Sequence, residues 1–282
     1  MYNLSDINTI KSILSKNGFS FSKALGQNFI IDDSVCPSMA DAAVPSQDYG
    51  VVEVGPGIGV LTAELAQRAK RVVAIELDDR LPPILADTLS DFDNVKIVSG
   101  DVMKIDLKSL IEEELPGMPV VICANLPYYI TSPVIMKLLE EDLPIESIVV
   151  MVQKEAADRL CADVGTRDAG AVTVAVNYYA TAKKLFFVGK ECFVPSPKVD
   201  SEVISLTLRR EHPYAIDEAE FFSMIKTAFT KRRKTIMNSL CFGPVTKDAL
   251  GTTLDSLAIP RTARIEELTM DQLISIYREL FK

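Results

Sequence analysis

The stretch "VVEVGPGIGVLTAELAQRAKRVVAIEL", residues 51–77, contains two short apolar runs with a glycine-rich turn and a helical pattern between them. Both runs are rich in valine and isoleucine, which favour β-strands. The segment between them places Leu61, Leu65 and Ala69 on one helical face. This order predicts two parallel strands joined by a helix that packs on the sheet.

The alternation of strand-like and helical segments continues along the chain. Three more β-rich runs follow: "NVKIVSG" from residue 94, "VVICAN" from residue 120 and "SIVVMVQ" from residue 147. "KLFFVG" from residue 184 and "SEVISLTL" from residue 201 have no clear helix between them. We therefore predict an α/β protein with a seven-stranded sheet that ends in an antiparallel hairpin.

The β pattern stops around "EHPYAIDEAE", residues 211–220, and only helical patterns follow. "EAEFFSMIKTAFTKRRKTIMNSL" is an amphipathic stretch, and "TMDQLISIYREL" reads as the last helix. We predict a larger domain of residues 1–210 and a small all-helical domain of residues 211–282. Residues 1–30 form an N-terminal extension with one helix, which Gly18 ends.

Composition excludes several kinds of chemistry. His212 is the only histidine, and the five cysteines form no C-x-x-C pair, so we expect neither histidine-dependent hydrolysis nor a metal site nor disulfides. No apolar run approaches the roughly 20 residues of a membrane span. No signal segment opens the chain, so we expect a cytoplasmic protein with no membrane partner.

The glycine-rich turn "EVGPGIG", residues 53–59, leaves the first core strand. Its E-x-G-x-G-x-G spacing departs from the dinucleotide pattern, because Val60 stands where a third glycine would follow Gly55 and Gly57. The spacing resembles the loop of S-adenosylmethionine-dependent methyltransferases, although such turns also serve purely structural ends. Glu76 and Asp101 follow the next two strands, where carboxylates can accept hydrogen bonds from a ribose and an adenine amine.

The fourth strand runs into "NLPYYITSP", residues 125–133. A side-chain amide at Asn125 and the Leu126 carbonyl, freed by the following proline, lie beside the Tyr128 ring. This arrangement suits a planar ligand with an NH2 group, such as adenine. A proline turn packed with core tyrosines is the alternative, and Ser132 and Pro133 suit the N-cap and first position of the next helix.

Five motifs together resemble those of the ribosomal RNA adenine N6-dimethyltransferases of the small-subunit, kasugamycin-sensitivity type. They are "KALGQNFI", "EVGPGIG", "NLPYYI", "CFVPSPKVDS" and "FTKRRKTIMNSL". The resemblance runs from about residue 22 to the C-terminus. It implies a Rossmann-like methyltransferase sheet, and direct methyl transfer to two adjacent adenosines in a hairpin near the 3′ end of 16S rRNA.

The resemblance also implies roles for individual residues. Asn125 and the Leu126 carbonyl would hold the target amine, and Tyr128 and Phe193 would sandwich the base. Residues 1–30 would fold over the cofactor, with Ile30 standing where the family commonly has leucine. The residues expected to contact S-adenosylmethionine are Asn28, Ile30, Gly55, Gly57, Glu76, Asp101 and Asn125.

The net charge of −9 argues against a nucleic-acid partner, but "TKRRK" at 230–234 is a compact basic run. Such runs are commonly solvated surface, whereas the resemblance implies that Lys231, Arg232, Arg233 and Lys234 bind RNA. The expected partner is 16S rRNA in the small ribosomal subunit or its precursor, bound by a monomer. The rival interpretations are a macrolide-resistance methyltransferase of the large subunit, a ribosome-assembly or transcription factor, and a nicotinamide oxidoreductase.

Overall fold

The computed structural model describes residues 2–19, 28–211 and 213–281. Contacts divide the chain into two compact units. The first unit holds residues 1–157 and 182–208, and the second holds residues 158–181 and 209–282. Residues 158–181, which the sequence analysis assigned to the larger domain, therefore group with the C-terminal helices.

The first unit is built around a seven-stranded sheet, confirming the predicted fold class. The nine strands of the described residues are β1 (Phe29–Ile30), β2 (Gly50–Val54), β3 (Arg71–Glu76), β4 (Val95–Ser99), β5 (Val120–Asn125), β6 (Ser147–Gln153), β7 (Ala180–Val188), β8 (Phe193–Val194) and β9 (Ser201–Leu208). The sheet order is β4-β3-β2-β5-β6-β9-β7. The first five run parallel, β9 runs antiparallel to β6, and the predicted terminal hairpin is confirmed.

Strand order reverses between β2 and β5, because the chain builds outward to β4 and then returns to the other side of β2. Ligands of open α/β sheets bind at such a switch point, beyond the carboxyl ends of the strands. Every residue of β2 is buried, as expected for a central strand covered on both faces. We therefore expect the ligand site beyond the carboxyl ends of β2 to β5.

Among the described residues, six helices lie wholly in the first unit: α1 (Ile7–Lys16), α2 (Val35–Ala43), α3 (Val60–Arg68), α4 (Pro82–Thr88), α5 (Leu107–Glu114) and α6 (Thr131–Glu140). The predicted apolar residues of α3, the crossover helix between β2 and β3, are buried: Leu61 and Leu65 within the helix and Ala69 at its C-cap. Helix α1 begins at an Asp6 N-cap, whose carboxylate accepts a hydrogen bond from the Thr9 N–H at 2.8 Å.

α7 (Lys154–Leu160) leads into the second unit, which contains α8 (Ala171–Tyr179), α9 (Glu218–Thr230), α10 (Ile236–Ser239), α11 (Lys247–Ser256) and α12 (Met270–Leu280). An aromatic core joins these helices: the Tyr178 ring lies 5.4 Å from Phe222, and Phe221 lies 5.6 Å from Tyr277. The Tyr178 hydroxyl donates to a Glu218 carboxylate oxygen at 3.0 Å. These long-range contacts explain why residues 158–181 group with the C-terminal helices.

The amphipathic stretch at 218–240 forms two helices separated by a turn. Helix α9 ends at Thr230, and residues 231–234 form a turn in which the Lys234 N–H donates to the Lys231 carbonyl at 2.8 Å. Thr235 pairs with Arg264 in an isolated antiparallel bridge, and the Ile236 N–H donates to the Ala263 carbonyl. This pairing to a distant segment holds the chain extended where the local pattern favoured a helix.

None of the described helices is long and apolar enough to cross a membrane. Within the same described residues, no three His, Cys, Asp or Glu side chains come together as metal ligands.

Candidate active site

The glycine loop follows β2 at the switch point. Gly55, Gly57 and Gly59 all have positive φ angles, of 74°, 62° and 94°, a region that L side chains rarely adopt. A Cβ on Gly55 would meet no atom within 4 Å, so the backbone there faces open space. A Cβ on Gly57 would lie 3.2 Å from the Phe29 ring. The loop therefore offers bare backbone to a ligand at Gly55 and packs tightly against β1 at Gly57.

Glu76 lies at the carboxyl end of β3, with 5% of its surface exposed. One carboxylate oxygen accepts a hydrogen bond from the Asp78 N–H at 2.8 Å, and the other accepts one from the Gly57 N–H at 3.3 Å. Burial raises the pKa of Glu76, while these two backbone donors oppose the shift. The carboxylate is thus fixed in orientation and keeps lone pairs for ligand hydroxyl groups.

Asp101 follows β4 and lies closer to the surface than Glu76. One of its carboxylate oxygens accepts a hydrogen bond from the Met103 N–H at 2.9 Å, and the other lies 3.8 Å from the Lys104 ammonium. The first contact orients the side chain. The second is a loose, exposed ion pair that a ligand amine can replace.

Glu53 is a site residue that the sequence analysis did not single out. It is 1% exposed, and one of its carboxyl oxygens has no hydrogen-bond partner among the described residues. Burial and the nearby Glu76 charge raise the pKa of Glu53 to about 8. The sequence does mark Glu53, because it is an acidic residue within an otherwise apolar central strand. A buried, unpaired carboxyl on the wall of a cleft suits a cationic or hydrogen-donating ligand.

Asn125 ends β5, and its side-chain amide makes no hydrogen bond to the described protein. The Leu126 N–H donates to the Met151 carbonyl at 3.2 Å, whereas within the described chain nothing donates to the Leu126 carbonyl. Pro127 has extended geometry, with φ −57° and ψ 131°. The end of β5 thus presents two acceptor oxygens, one from a side chain and one from the backbone.

Helix α6 begins earlier than the sequence indicated. Residues 128–130 form a 3-10 turn that continues directly into α6 at Thr131, so Ile130 occupies the N-cap position. Ser132 and Pro133, expected at the N-cap and first position, lie inside the first helical turn instead. Proline is tolerated there because N–H groups of the first turn have no intrahelical partner.

Tyr128 is half-buried, and its hydroxyl forms a 2.8 Å hydrogen bond with the hydroxyl of Ser201. Ser201 is fully buried at the start of β9, 73 residues away in sequence. Burial raises the pKa of Tyr128, so the phenol stays protonated. The neighbouring Tyr129 is 55% exposed. The two tyrosines are therefore not equivalent, and only Tyr128 is fixed by a hydrogen bond at its hydroxyl.

A two-stranded pairing brings the N-terminal motif to the cleft. Strands β1 and β8 pair antiparallel, with Phe29 opposite Val194 and Ile30 opposite Phe193. Neither strand was predicted from the sequence, since each is only two residues long. Phe193 and Ile30 are both buried. Residues 23–27 of the "KALGQNFI" motif lie outside the described residues, as does His212.

All ten residues expected to contact cofactor or base line one cleft that encloses about 1090 Å3, its mouth included. These residues are Asn28, Ile30, Gly55, Gly57, Glu76, Asp101, Asn125, Leu126, Tyr128 and Phe193. The donor set fits S-adenosylmethionine, because it joins an open glycine backbone, an orphaned buried carboxyl and two rim carboxylates. The individual roles of these residues stay predictions.

The predicted RNA-binding residues form the turn between α9 and α10, in the second unit. Lys231, Arg233 and Lys234 are exposed. Arg232 is partly buried, and its guanidinium contacts Glu266 and the Arg167 carbonyl. The four cations are therefore not alike, and the linear sequence did not distinguish Arg232 from its neighbours.

The sheet order, the glycine loop after its first central strand and the carboxylates after the next two strands define a Rossmann-like methyltransferase. The family model described as "Ribosomal RNA adenine dimethylase" matches residues 18–282, and the chain belongs to this family. The expected enzyme class and its S-adenosylmethionine cofactor are thereby confirmed.

Similar proteins agree with this membership. A Geobacillus thermodenitrificans (strain NG80-2) protein named Ribosomal RNA small subunit methyltransferase A is 49% identical, over 96% of this chain and 94% of its own length. The crystal structure of a Plasmodium falciparum dimethyladenosine transferase has a TM-score of 0.70 at 25% identity, covering 87% of this chain and 95% of that one. The 23S rRNA methyltransferase ErmE has a TM-score of 0.66 at 28% identity, covering 90% and 100%.

Proposed function

We propose that this protein transfers methyl groups from S-adenosylmethionine to N6 of two adjacent adenosines in a hairpin near the 3′ end of 16S rRNA. The product is N6,N6-dimethyladenosine, and the substrate is the small ribosomal subunit or its precursor. The observation that carries this proposal is the pair of unpaired acceptors at the end of β5, Asn125 and the Leu126 carbonyl, in the same cleft as the glycine loop.

The residues act by positioning. The Asn125 amide oxygen and the Leu126 carbonyl accept both hydrogens of the adenine N6 amine, and this orients the nitrogen lone pair. Tyr128 and Phe193 hold the two faces of the base. When bound, S-adenosylmethionine supplies an activated methyl group, so no strong base is required of a chain with one histidine.

The remaining site residues hold the cofactor in this proposal. Glu76 accepts the ribose hydroxyls and Asp101 accepts the adenine amine. The Gly55 and Gly57 backbone, Asn28 and Ile30 line the rest of the binding surface, and the Asn125 side chain also borders it. Glu53 offers its unpaired carboxyl to the polar end of the cofactor.

The first unit is the catalytic domain in this proposal, with residues 1–30 over the cofactor. The helical second unit binds RNA through the basic turn, residues 231–234. We propose further that the protein acts as a monomer in the cytoplasm. Sedimentation at micromolar concentration tests the monomeric state, and a dimer at that concentration would contradict it.

The large-subunit alternative shares the fold, since ErmE covers 90% of this chain. It is less favoured, because identity to ErmE is 28% and identity to the Geobacillus small-subunit relative is 49%. A purely structural assembly factor is less favoured too. Glu76, Asp101 and Asn125 line one cleft together with the glycine loop, an arrangement that suits catalysis with a bound cofactor.

The decisive experiment supplies the protein with labelled S-adenosylmethionine and one of three substrates: undermodified small subunits, large subunits or naked rRNA. Digestion of the product should give labelled N6,N6-dimethyladenosine from small-subunit RNA. Label confined to large-subunit RNA would refute the assignment in favour of the macrolide-resistance type.

A further inference from the structure

The basic turn, residues 231–234, contains one cation that faces inward. The Arg232 Nε lies 3.7 Å from a Glu266 carboxylate oxygen, and a terminal nitrogen of its guanidinium donates to the Arg167 carbonyl. The Arg232 side chain is 35% exposed, while Lys231, Arg233 and Lys234 all belong to the exposed class. Arg232 is thus engaged with protein on two sides.

Glu266 is an unusual partner for a surface arginine, because it is 8% exposed. Its other carboxylate oxygen has no hydrogen-bond partner among the described residues. A buried carboxylate left without a cation is costly, so Arg232 supplies the charge that this site needs. Breaking this pair should therefore cost more free energy than breaking an exposed ion pair.

Arg167 lies in the 161–170 loop, between α7 and α8 and 65 residues before Arg232. This loop also packs against the segment around Glu266, since a Cβ on Gly165 would lie 3.5 Å from the Leu268 carbonyl oxygen. The guanidinium of Arg232 thus joins three separate segments: the basic turn, the 161–170 loop and the 3-10 turn Ile265–Glu267. A planar guanidinium with five N–H donors suits this bridging, whereas an ammonium does not.

We propose that Arg232 is a positioning residue that braces the basic turn, and that Lys231, Arg233 and Lys234 make the contacts to RNA phosphates. The inference rests on the proposed function, since it concerns how the same surface binds RNA. Its consequence is that the surface is preorganised, because the turn is tied down before RNA binds. Four consecutive basic residues thus have two roles: Arg232 positions the turn, and the other three contact RNA.

Glu266→Gln separates this proposal from simple electrostatics, because the two make opposite predictions. Removing a negative charge beside a basic surface should tighten RNA binding if charge alone matters. The brace predicts weaker binding, because Arg232 loses its partner and the turn loosens. We expect about tenfold weaker binding of the small-subunit substrate, because the variant removes the ion pair that holds Arg232 against the buried Glu266.

Salt dependence provides the second readout. Arg233→Gln should lower the slope of log K against log salt by about 0.7 to 0.9, the value for one lost phosphate contact. Arg232→Gln should weaken binding with the slope unchanged, since Arg232 touches no phosphate. A slope lowered equally by both variants would overturn the brace.

Hydrogen exchange of the full-length protein without RNA tests the brace independently of the proposed function. Arg232→Gln and Glu266→Gln should each speed exchange in residues 161–170 and 231–234 by roughly tenfold, and the matched variant Arg233→Gln should not. Cooperative thermal unfolding of each variant shows that the unit stays folded. Unchanged exchange in both brace variants overturns the inference. Faster exchange with unaltered RNA binding in every variant, Arg233→Gln included, would instead reject the RNA-binding role of the turn.

Discussion

Asn125 illustrates how one residue obtains its role from the strand that carries it. Its backbone completes β5 by pairing with Met151, which fixes the Cα at the edge of the cleft. Its side chain is left without a partner in the described protein. An amide in that position is free to accept from a ligand while the strand prevents it from moving.

Asn125→Ala should lower turnover by about 100-fold, the usual loss when one preorganised polar contact to the reacting group is removed. Affinity for S-adenosylmethionine should fall much less, because the glycine loop, Glu76 and Asp101 remain. Single-turnover kinetics and calorimetric titration measure the two quantities separately. Near-normal turnover would show that Asn125 does not hold the target amine.

Ser201 fixes the ring of Tyr128 from the start of β9, which lies two strands from β5 in the sheet. Ser201→Ala and Tyr128→Phe each remove one end of the 2.8 Å hydrogen bond, and each should lower kcat/KM by about threefold to tenfold. In the double variant the loss should equal that of either single variant, because the bond can be lost only once. Additive losses would mean that the two hydroxyls act independently.

Glu53 makes stability depend on pH. Its folded-state pKa of about 8 lies above the ordinary value of 4.5, so the folded state holds a proton that the unfolded state releases. The free energy of unfolding should therefore fall as pH rises from about 4.5 to about 8, by up to about 1.4 kcal/mol per pH unit. Glu53→Gln should flatten this fall in urea unfolding at pH 5.5 and pH 8.5. If the free energy of unfolding fell equally in the wild type and in Glu53→Gln, another titrating group would be responsible.

At the scale of elements, the cleft is assembled by a contact between the glycine loop and β1. A Cβ on Gly57 would lie 3.2 Å from the Phe29 ring, which would have to shift, and β1 in turn pairs with β8, which carries Phe193. A chain of contacts thus runs from the cofactor loop to the predicted base-stacking residue. The N-terminal motif and the "CFVPSPKVDS" motif are distant in sequence, and this small sheet joins them.

Gly57→Ala tests this coupling, and Gly117→Ala is its matched control. Both glycines have positive φ, of 62° and 70°, so both variants should lose about 1–2 kcal/mol of stability from backbone strain. A Cβ on Gly117 meets no atom within 4 Å, whereas one on Gly57 meets the Phe29 ring at 3.2 Å. Only Gly57→Ala should therefore weaken S-adenosylmethionine binding in calorimetry. Equal affinity for S-adenosylmethionine in the two variants would show that the contact with β1 does not contribute to cofactor binding.

The whole molecule combines a net charge of −9 with a compact basic turn. An acidic protein repels RNA at long range, so binding must rest on a few local cations. The basic turn, which we propose supplies these cations, lies in the second unit, and that unit has its own aromatic core. The first unit holds the cleft, so cofactor binding and RNA binding should respond to different variants.

The double variant Arg233→Gln/Lys234→Gln should flatten the salt dependence of RNA binding by about 1.5 in slope and leave S-adenosylmethionine affinity unchanged. Lys247→Gln removes one charge from an exposed position in the same unit and outside the turn, so it should alter neither quantity. Filter binding over a range of salt concentrations measures the slope. An equal effect of Lys247→Gln would mean that RNA responds to total charge rather than to the turn.

Local patterns in the sequence determined the fold class, the seven strands of the sheet, the glycine loop and the acceptor pair at Asn125 and Leu126. Strand periodicity, glycine spacing and the residue before a proline all act within a few residues, so they can be read without the structure. Family motifs then supplied Asn28, Ile30 and Phe193, which no local rule singles out.

Only the tertiary structure decided which of these residues meet and which are held. The Tyr128–Ser201 hydrogen bond spans 73 residues and the Arg232–Arg167 contact spans 65, so no local sequence pattern predicts either one. The β1–β8 pairing, the raised pKa of Glu53 and the grouping of residues 158–181 with the C-terminal helices likewise depend on long-range packing. Burial and orientation belong to the folded chain as a whole. In the basic turn, four like charges in sequence become three exposed cations and one partly buried arginine that contacts Glu266 and the Arg167 carbonyl.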